Sequence, residues 1–185
     1  HGRPRSLRLR GLGGALRLGF LAVSLAPGGA LASELSSWPV VCVVGDTAFV
    51  HAGIVASDAR RAAELNAEAS TWLAGGAGPL PPFSLLPASA AARSPVWMRD
   101  YSSPPDVEPP SATPCDEARS ALAVLGASRL VVGHTVQSRI NCACGCVYRI
   151  DLGLSRALGG GAPEVLEIRG DRVRVLSRGG AIDAA

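Results

Sequence analysis

Short, uninterrupted apolar runs recur along the chain and are typical of buried β-strands. Residues 40–44 have the sequence VVCVV and residues 47–50 have TAFV, with a Gly45–Asp46 turn between them. A third run, residues 129–134, has the sequence RLVVGH. A strand without an alternating polar face is usually covered on both sides. We therefore predict that these three runs are strands buried within a sheet.

Two segments have the composition of helices and end at glycine. Residues 57–73 are rich in Ala, Glu and Leu and are followed by Gly75, and residues 115–125 are followed by Gly126. Glycine directly after an apolar periodic segment is a common helix stop, because it accepts the left-handed conformation there. Both segments are predicted to be helices.

Turn signals predict two hairpins in the second half of the chain. Residues 140–150 are centred on Gly145, and residues 165–168 and 173–176 are separated by a Gly170–Asp171 pair. A short glycine-containing connection between apolar runs favours a tight hairpin turn.

Two Gly/Pro-rich segments, residues 75–87 and 102–114, flank a compact aromatic and charged island at residues 94–101. Long segments of this composition inside a domain are usually functional loops or disordered ones. We expect both segments to be surface insertions around the island.

The positive charge of the chain is concentrated at its start. Five of the 18 Arg precede residue 18, there is no Lys, and the first acidic residue is Glu34. The remaining 13 Arg face 15 acidic residues, which leaves the rest of the chain with a net charge of −2. A nucleic-acid-binding body would carry a basic stripe with stacking aromatics. We therefore expect no nucleic-acid partner.

We interpret residues 1–26 as a poorly ordered basic arm, residues 27–177 as the body and residues 178–185 as a tail. A secretory signal is an alternative, because the basic start precedes an apolar run at 18–26 and Ala-Leu-Ala at 30–32. That run is too short to span a bilayer, so no membrane partner is expected.

The five cysteines are an odd number, which does not predict a complete disulfide framework: Cys42, Cys115, Cys142, Cys144 and Cys146. A reduced, intracellular setting, cytoplasmic or organellar, fits this count better. In the CACGC run at 142–146, strand geometry would direct the three thiols to one face. A small zinc module is an alternative, although structural zinc usually requires C-x₂₋₄-C spacing and a fourth ligand. We interpret the run as a partly buried, redox-sensitive patch.

Two of the three histidines follow predicted strands and lie next to a glycine. His51 follows the run at 47–50, and His134 ends the run at 129–134. Imidazole is a common ligand of divalent transition metals, so the two rings would share one cation if their strands are neighbours. A hydrogen-bonded structural role for each histidine is the alternative.

Four segments, in this order, resemble the motifs of one enzyme superfamily. VGDTAFVHAGI at 44–54 resembles the "FVHGG" strand of calcineurin-like metallophosphatases, and SPVWMRDY at 94–101 resembles their "WxR" segment. RLVVGHTVQ at 129–137 is similar to their "VVGHT" strand, and YRIDLGLS at 148–155 is similar to "RIDVGMS" of the Shewanella-like, or bacterial-like, protein phosphatases. The resemblance extends over residues 27–168.

The resemblance implies a fold and a chemistry. The fold is α/β, a partial α/β/β/α sandwich with metals at the carboxyl ends of strands. His51 and His134 match the histidines that bind one metal of a dinuclear centre, formed by two divalent ions (Mn, Fe or Zn) in the complete domain. Arg99 matches the arginine that clamps the phosphate oxygens; an ion pair with Asp100 is the alternative. Asp46 is interpreted as a turn residue rather than a ligand.

The resemblance also implies that part of the site lies outside this chain. The superfamily motifs Asp-x-His and Gly-Asn-His-Glu do not occur in the sequence. We expect the chain to be the carboxy-terminal half of the catalytic domain and to be inactive alone. Ala52 stands where the superfamily has glycine, and its methyl group would crowd the metal pocket if it pointed there.

The leading functional hypothesis is a phosphatase segment acting on phosphate monoesters, with a phosphorylated protein or a small phosphoester as its partner. A dinucleoside polyphosphate hydrolase of the same fold is one alternative. A non-catalytic remnant that binds a partner or a single metal is the other.

Overall fold

The computed structural model describes residues 22–76, 78, 80–86 and 93–183. The chain divides into two compact units, one formed by residues up to 38 with 70–79, the other by residues 39–69 with 80–185. Most of the predicted basic arm, residues 1–21, lies outside the described residues. No helix within the described ranges is long and apolar enough to cross a membrane.

The helices are α1 Ala30–Leu35, α2 Ala56–Ala59, α3 Ala62–Leu73 and α4 Ala112–Leu125, with 3-10 turns at Phe83–Leu85 and Arg156–Leu158. α2 and α4 lie wholly in the second unit. The strands are β1 Val41–Val44, β2 Thr47–Val50, β3 Arg129–Val132, β4 Asn141–Ala143, β5 Val147–Arg149, β6 Val165–Arg169, β7 Arg172–Ser177 and β8 Gly180–Asp183.

The first five strands form one mixed sheet in the order β1-β2-β3-β5-β4. The two hairpins, β1–β2 and β4–β5, are antiparallel. β2, β3 and β5 run parallel to one another in the centre of the sheet. The carboxyl ends of these three strands therefore lie at one edge, where parallel sheets commonly place their sites. The predicted α/β class is confirmed.

The sheet is covered on its two faces by different layers. On one face, Leu130, Val132 and Val147 pack with residues of α4 such as Ala121 and Leu122. On the other face, Val131 and Tyr148 pack with Val173 of β7. These layers explain why β3 is buried at all four positions, as its continuous apolar sequence predicted.

The prediction that residues 40–44 are buried on both faces is wrong. β1 is the edge strand of the sheet, and its second half is solvent exposed, with Val44 62% accessible. Apolar composition alone does not distinguish a central strand from an edge strand, because strand order is a tertiary property.

The predicted helix at 57–73 is interrupted near Arg60 and Arg61, which separate α2 from α3. The backbone N–H of Ala56 donates to the Glu117 side chain of α4 at 2.7 Å. This contact holds α2 on α4. The second predicted helix is confirmed, and it begins earlier than expected, at Ala112, and ends as predicted at Gly126, whose φ is +66°.

The predicted terminal hairpin forms β6 and β7, with Arg169 paired to Arg172 across the turn. A third strand, β8, pairs with β7 within the segment interpreted as a tail. The sequence GAID at 180–183 is too short and too mixed to indicate a strand by its pattern.

One cysteine prediction is corrected by the structure. Cys115 of α4 and Cys144 form a disulfide, which does not amount to a complete disulfide framework, and the reduced, intracellular setting stays a prediction. Cys144 and Gly145 both have positive φ in the β4–β5 turn, so the CACGC run is not one continuous strand with its thiols on one face. Cys142 and Cys146 are free and half-buried, as is Cys42.

Candidate functional site

The two predicted metal ligands lie at the carboxyl ends of adjacent parallel strands. β2 and β3 pair in parallel from Thr47 with Arg129 to Phe49 with Val131. His51 directly follows β2, and the N–H of Gly133 donates to the His51 carbonyl oxygen at 2.8 Å. The register thus places His51 beside the Gly133–His134 pair.

The two imidazole rings face each other through single nitrogen atoms. Nε2 of His51 lies 3.2 Å from Nδ1 of His134. Two ring nitrogens that each lie about 2.0–2.1 Å from one cation are about 2.9–3.4 Å apart for ligand angles between 90° and 109°. The observed separation fits a shared cation. It also fits a hydrogen bond between a neutral donor ring and a neutral acceptor ring.

His134 has an uncommon backbone conformation and a lowered ring pKa. Its φ of +68° lies in the left-handed region, which non-glycine residues occupy mainly at functional or tightly constrained positions. Burial lowers the pKa of His134, and the charge of Arg99 and the neighbouring His51 lower that pKa further. The ring therefore favours the neutral form, which is the form that binds metals. Its buried Nε2 has no hydrogen-bond partner among the described residues.

The Arg99 side chain is hydrogen-bonded to the segment that follows β3. Its Nη1 donates to the backbone oxygen of His134 at 3.1 Å and to Oγ1 of Thr135 at 2.8 Å. Asp100 instead pairs with Arg93 at 3.0 Å, so the alternative ion pair between Arg99 and Asp100 is not the observed arrangement. Only Nη1 of this exposed guanidinium donates to a described residue, which leaves its other N–H groups available to a ligand beside His134.

A buried polar network holds the segment that carries Arg99. The hydroxyl groups of Ser102 and Thr135 are 2.7 Å apart. Nε2 of Gln137 donates to the backbone oxygens of Ser102 at 3.1 Å and Thr135 at 2.9 Å. All three side chains are buried. Since buried polar groups are costly unless paired, this network fixes the position of Arg99 relative to His134.

The aromatic and charged island packs directly on the end of β2. Backbone N–H groups of Ala52 and Gly53 donate to the carbonyl oxygen of Pro95. The buried side chains of Met98 and Tyr101 occupy the space where a Gly53 Cβ would lie. Glycine at this position therefore allows the island to approach the strand closely enough to deliver Arg99.

Trp97 lies beside the histidine pair. Its ring centroid is 4.9 Å from that of His134, with the planes tilted by 55°. Its side chain is 38% exposed. The indole thus covers one side of the His134 ring and remains accessible on the surface of the site.

An open cavity of about 540 Å³ contains the two histidines. It is bounded by apolar side chains of the five-stranded sheet and by Asp151. Asp151 follows β5 by two residues, as His134 follows β3 by two, so the parallel pairing brings both to one edge. Asp151 was not predicted as a site residue from the sequence, although its position after an apolar strand was a usable signal. Its Oδ1 accepts the N–H of Gly153 at 2.9 Å.

Ala52 does not crowd this cavity. Its side chain is fully buried in the hydrophobic core and is not part of the cavity wall. The methyl group that Ala52 has in place of the superfamily glycine therefore lies in the hydrophobic core.

A different group of potential metal ligands occurs in the described part of the chain. Ligand atoms of Glu108, Cys115 and Cys144 all lie within 4.8 Å of one another. The histidine pair supplies two ligand atoms. A cation held there would need further ligands, since catalytic metals usually have at least three from protein.

No protein-family model matches the chain. Over 161 residues, 83% of the chain, it is 35% identical to Shewanella-like protein phosphatase 2 of Arabidopsis thaliana. This similarity shows homology to that protein phosphatase. The chain spans 39% of the length of this relative.

Solved structures with a similar fold include a cold-active protein tyrosine phosphatase, with a TM-score of 0.62 at 21% identity over 80% of this chain and 43% of that one. A second is the cold-active protein-tyrosine phosphatase of a psychrophilic Shewanella species, with the same TM-score and identity over 82% of this chain and 44% of that one. At this identity the likeness establishes the fold.

Proposed function

We propose that the chain is part of a protein phosphatase that hydrolyses phosphate monoesters, with His51 and His134 binding one divalent cation and Arg99 binding the phosphate. The observation that carries this proposal is the 3.2 Å distance between Nε2 of His51 and Nδ1 of His134. The Arg99 guanidinium group lies beside them and donates a hydrogen bond to the His134 backbone oxygen. The homology to a protein phosphatase supports the reaction class.

The residues of this chain have separate tasks in the proposed reaction. A pair of divalent cations, when bound, would supply an acidified water as nucleophile and polarise the phosphoryl oxygens. Nε2 of His51 and Nδ1 of His134, which lie 3.2 Å apart, would hold one of these cations. The planar guanidinium of Arg99 can donate two parallel hydrogen bonds to phosphate oxygens. Asp151 places a negative charge in the same cavity.

Residues outside this chain are proposed to supply the ligands of the second cation and the remaining ligands of the first. The relative is more than twice as long as the matched segment, and two histidines with one arginine do not complete a dinuclear centre. We therefore expect the chain to hydrolyse p-nitrophenyl phosphate barely above background with Mn²⁺ present. Calcineurin-like ancestry and placement in the carboxy-terminal half of the catalytic domain are part of this proposal.

We favour a phosphorylated protein over a dinucleoside polyphosphate as the substrate. The homologue and the two proteins of similar fold are all protein phosphatases. The open cavity also leaves the site accessible to a side chain presented on a protein surface.

Metal titration of the purified chain tests the site assignment. We expect Mn²⁺ or Zn²⁺ to bind, and His51→Ala or His134→Ala to weaken that binding by about tenfold or more, since each removes a direct ligand. His1→Ala removes the third histidine and is the matched control. If both site variants bound the cation like wild type, the histidines would not be ligands, and the imidazole hydrogen bond alone would explain their contact.

A further inference from the structure

Glu108, Cys115 and Cys144 form a second candidate ligand group at the other end of the sheet. Cys144 lies in the turn that precedes β5, whereas the histidine cavity lies after the carboxyl ends of the parallel strands. Cys115 lies in the first turns of α4, and Glu108 lies in the loop before it. Three separate elements therefore bring one oxygen and two sulfur atoms within 4.8 Å of one another.

Glu108 is held at this place by its own hydrogen bond and by hydrogen bonds of the two residues before it. Its Oε2 accepts the N–H of Cys144 at 2.9 Å. The carbonyl oxygen of the preceding residue, Val107, accepts from the buried Arg149 at 2.8 Å. The loop is also held through Asp106, whose carboxylate accepts the N–H of Ser138 at 2.9 Å. The carboxylate thus faces the sulfur pair because the fold holds it there.

The two sulfurs are bonded to each other in this structure, with Cα atoms 5.1 Å apart. A dithiol reductant would transfer two electrons to this bond, giving two cysteine thiols and the cyclic disulfide of the reductant. Loss of one proton from each thiol would then leave two thiolates and one carboxylate around one point. Nη2 of Arg119 donates to the Cys144 oxygen at 3.2 Å and places positive charge near these anions.

We infer that Glu108, Cys115 and Cys144 form a redox-gated site for a soft divalent cation such as Zn²⁺, closed by the disulfide and opened by its reduction. Thiolates favour zinc over Mg²⁺, Ca²⁺ and Mn²⁺. Zinc–sulfur bonds of about 2.3 Å in a tetrahedral site place two sulfurs about 3.8 Å apart. The fourth position would be occupied by water. This site is independent of the proposed phosphatase reaction.

Cobalt titration under anaerobic conditions tests the site, because thiolate-bound Co²⁺ gives a charge-transfer absorption that histidine-bound Co²⁺ lacks. We expect the dithiothreitol-reduced full chain, freed of reductant, to bind one Co²⁺ with this absorption and to lose it when Zn²⁺ is added. The oxidised chain should show no such band. The His51→Ala/His134→Ala double variant should keep it, which separates this site from the histidine pair.

Substitutions assign the ligands. Cys115→Ser and Cys144→Ser should abolish the band, and Cys42→Ser and Cys142→Ser are the matched controls that should keep it. Glu108→Gln keeps both cysteines, and its reduced form should bind Co²⁺ about tenfold more weakly than reduced wild type, with far-ultraviolet circular dichroism confirming the fold. Absence of the band in reduced wild type would overturn the inference, as would a band that survives both Cys115→Ser and Cys144→Ser.

Discussion

Oγ1 of Thr135 lies 2.8 Å from Nη1 of Arg99 and joins the proposed phosphate-binding side chain to the strand that carries His134. The same hydroxyl group lies 2.7 Å from that of Ser102. A small buried side chain therefore aligns the guanidinium group with the histidine pair, although Thr135 itself is expected to touch neither metal nor phosphate.

Thr135→Val is expected to weaken inorganic phosphate binding by about tenfold, because Arg99 loses one of two hydrogen bonds that orient it and a charged hydrogen bond contributes about 1.5–3 kcal/mol. Isothermal titration with phosphate in the presence of Mn²⁺ measures the effect. Thr135→Ser keeps the hydroxyl group and should restore most of the affinity. Equal phosphate affinity for wild type and the valine variant would show that Thr135 does not position Arg99.

Gly53→Ala is expected to lower the free energy of unfolding by about 2–4 kcal/mol, since overpacking and an unfavourable backbone conformation combine. The added Cβ would lie 2.9 Å from Tyr101 and 3.0 Å from Met98, at a φ of +151°. Guanidinium denaturation followed by fluorescence gives the change.

The matched control for this variant is Gly45→Ala. Gly45 also has positive φ, at +60°, but nothing lies within 4 Å of its added Cβ. Its expected cost is about 1 kcal/mol, from the backbone conformation alone. If the two variants lost the same stability, close packing of the island on Gly53 would not be the cause.

Arg129→Met is expected to destabilise the chain by about 2–3 kcal/mol, because a buried charged donor network is lost. Nη1 of Arg129 contacts Asp46 at 2.5 Å, and Nη2 donates to the Gly170 carbonyl at 3.0 Å. Thermal and urea unfolding measure the loss. Arg61→Met breaks an exposed pair with Glu64 and should change stability by less than about 1 kcal/mol; a comparable loss there would contradict the structural role of Arg129.

Asp46 should make folding sensitive to acid. The Ser128 hydroxyl, which donates to its carboxylate at 2.7 Å, and the Arg129 guanidinium hold the pKa of Asp46 below its ordinary value of 3.8. The unfolded chain therefore binds the proton more readily, so the stabilisation is present above about pH 4 and is lost as the pH falls further.

Asp46→Asn is expected to flatten the decline in urea midpoint between about pH 4 and pH 2, because this carboxylate no longer titrates. Ser128→Ala should flatten it partly. A decline as steep in Asp46→Asn as in wild type would exclude this carboxylate as a source of the acid sensitivity. Asp46 lies in the turn between β1 and β2 and contacts Ser128 and Arg129, in agreement with its interpretation as a turn residue.

The sequence by itself determined the local elements and the candidate ligands. The strands at 47–50 and 129–132, the helix ending at Gly126 and the hairpin around Gly145 all follow from short-range patterns of apolar residues and turn-forming glycines. His51 and His134 were identifiable because each follows such a strand. Their roles as metal ligands, and that of Arg99 as a phosphate ligand, stay predictions.

Only the tertiary structure decided which of these elements meet. The parallel pairing of β2, β3 and β5 brings His51, His134 and Asp151 to one edge, and the same assembly leaves β1 exposed and joins Cys115 to Cys144. Residues separated by 83 positions approach within 3.2 Å because strand order and layer packing depend on the burial of the whole chain. A short stretch of sequence indicates whether it forms a helix or a strand, but it does not indicate which other segment will pack against it.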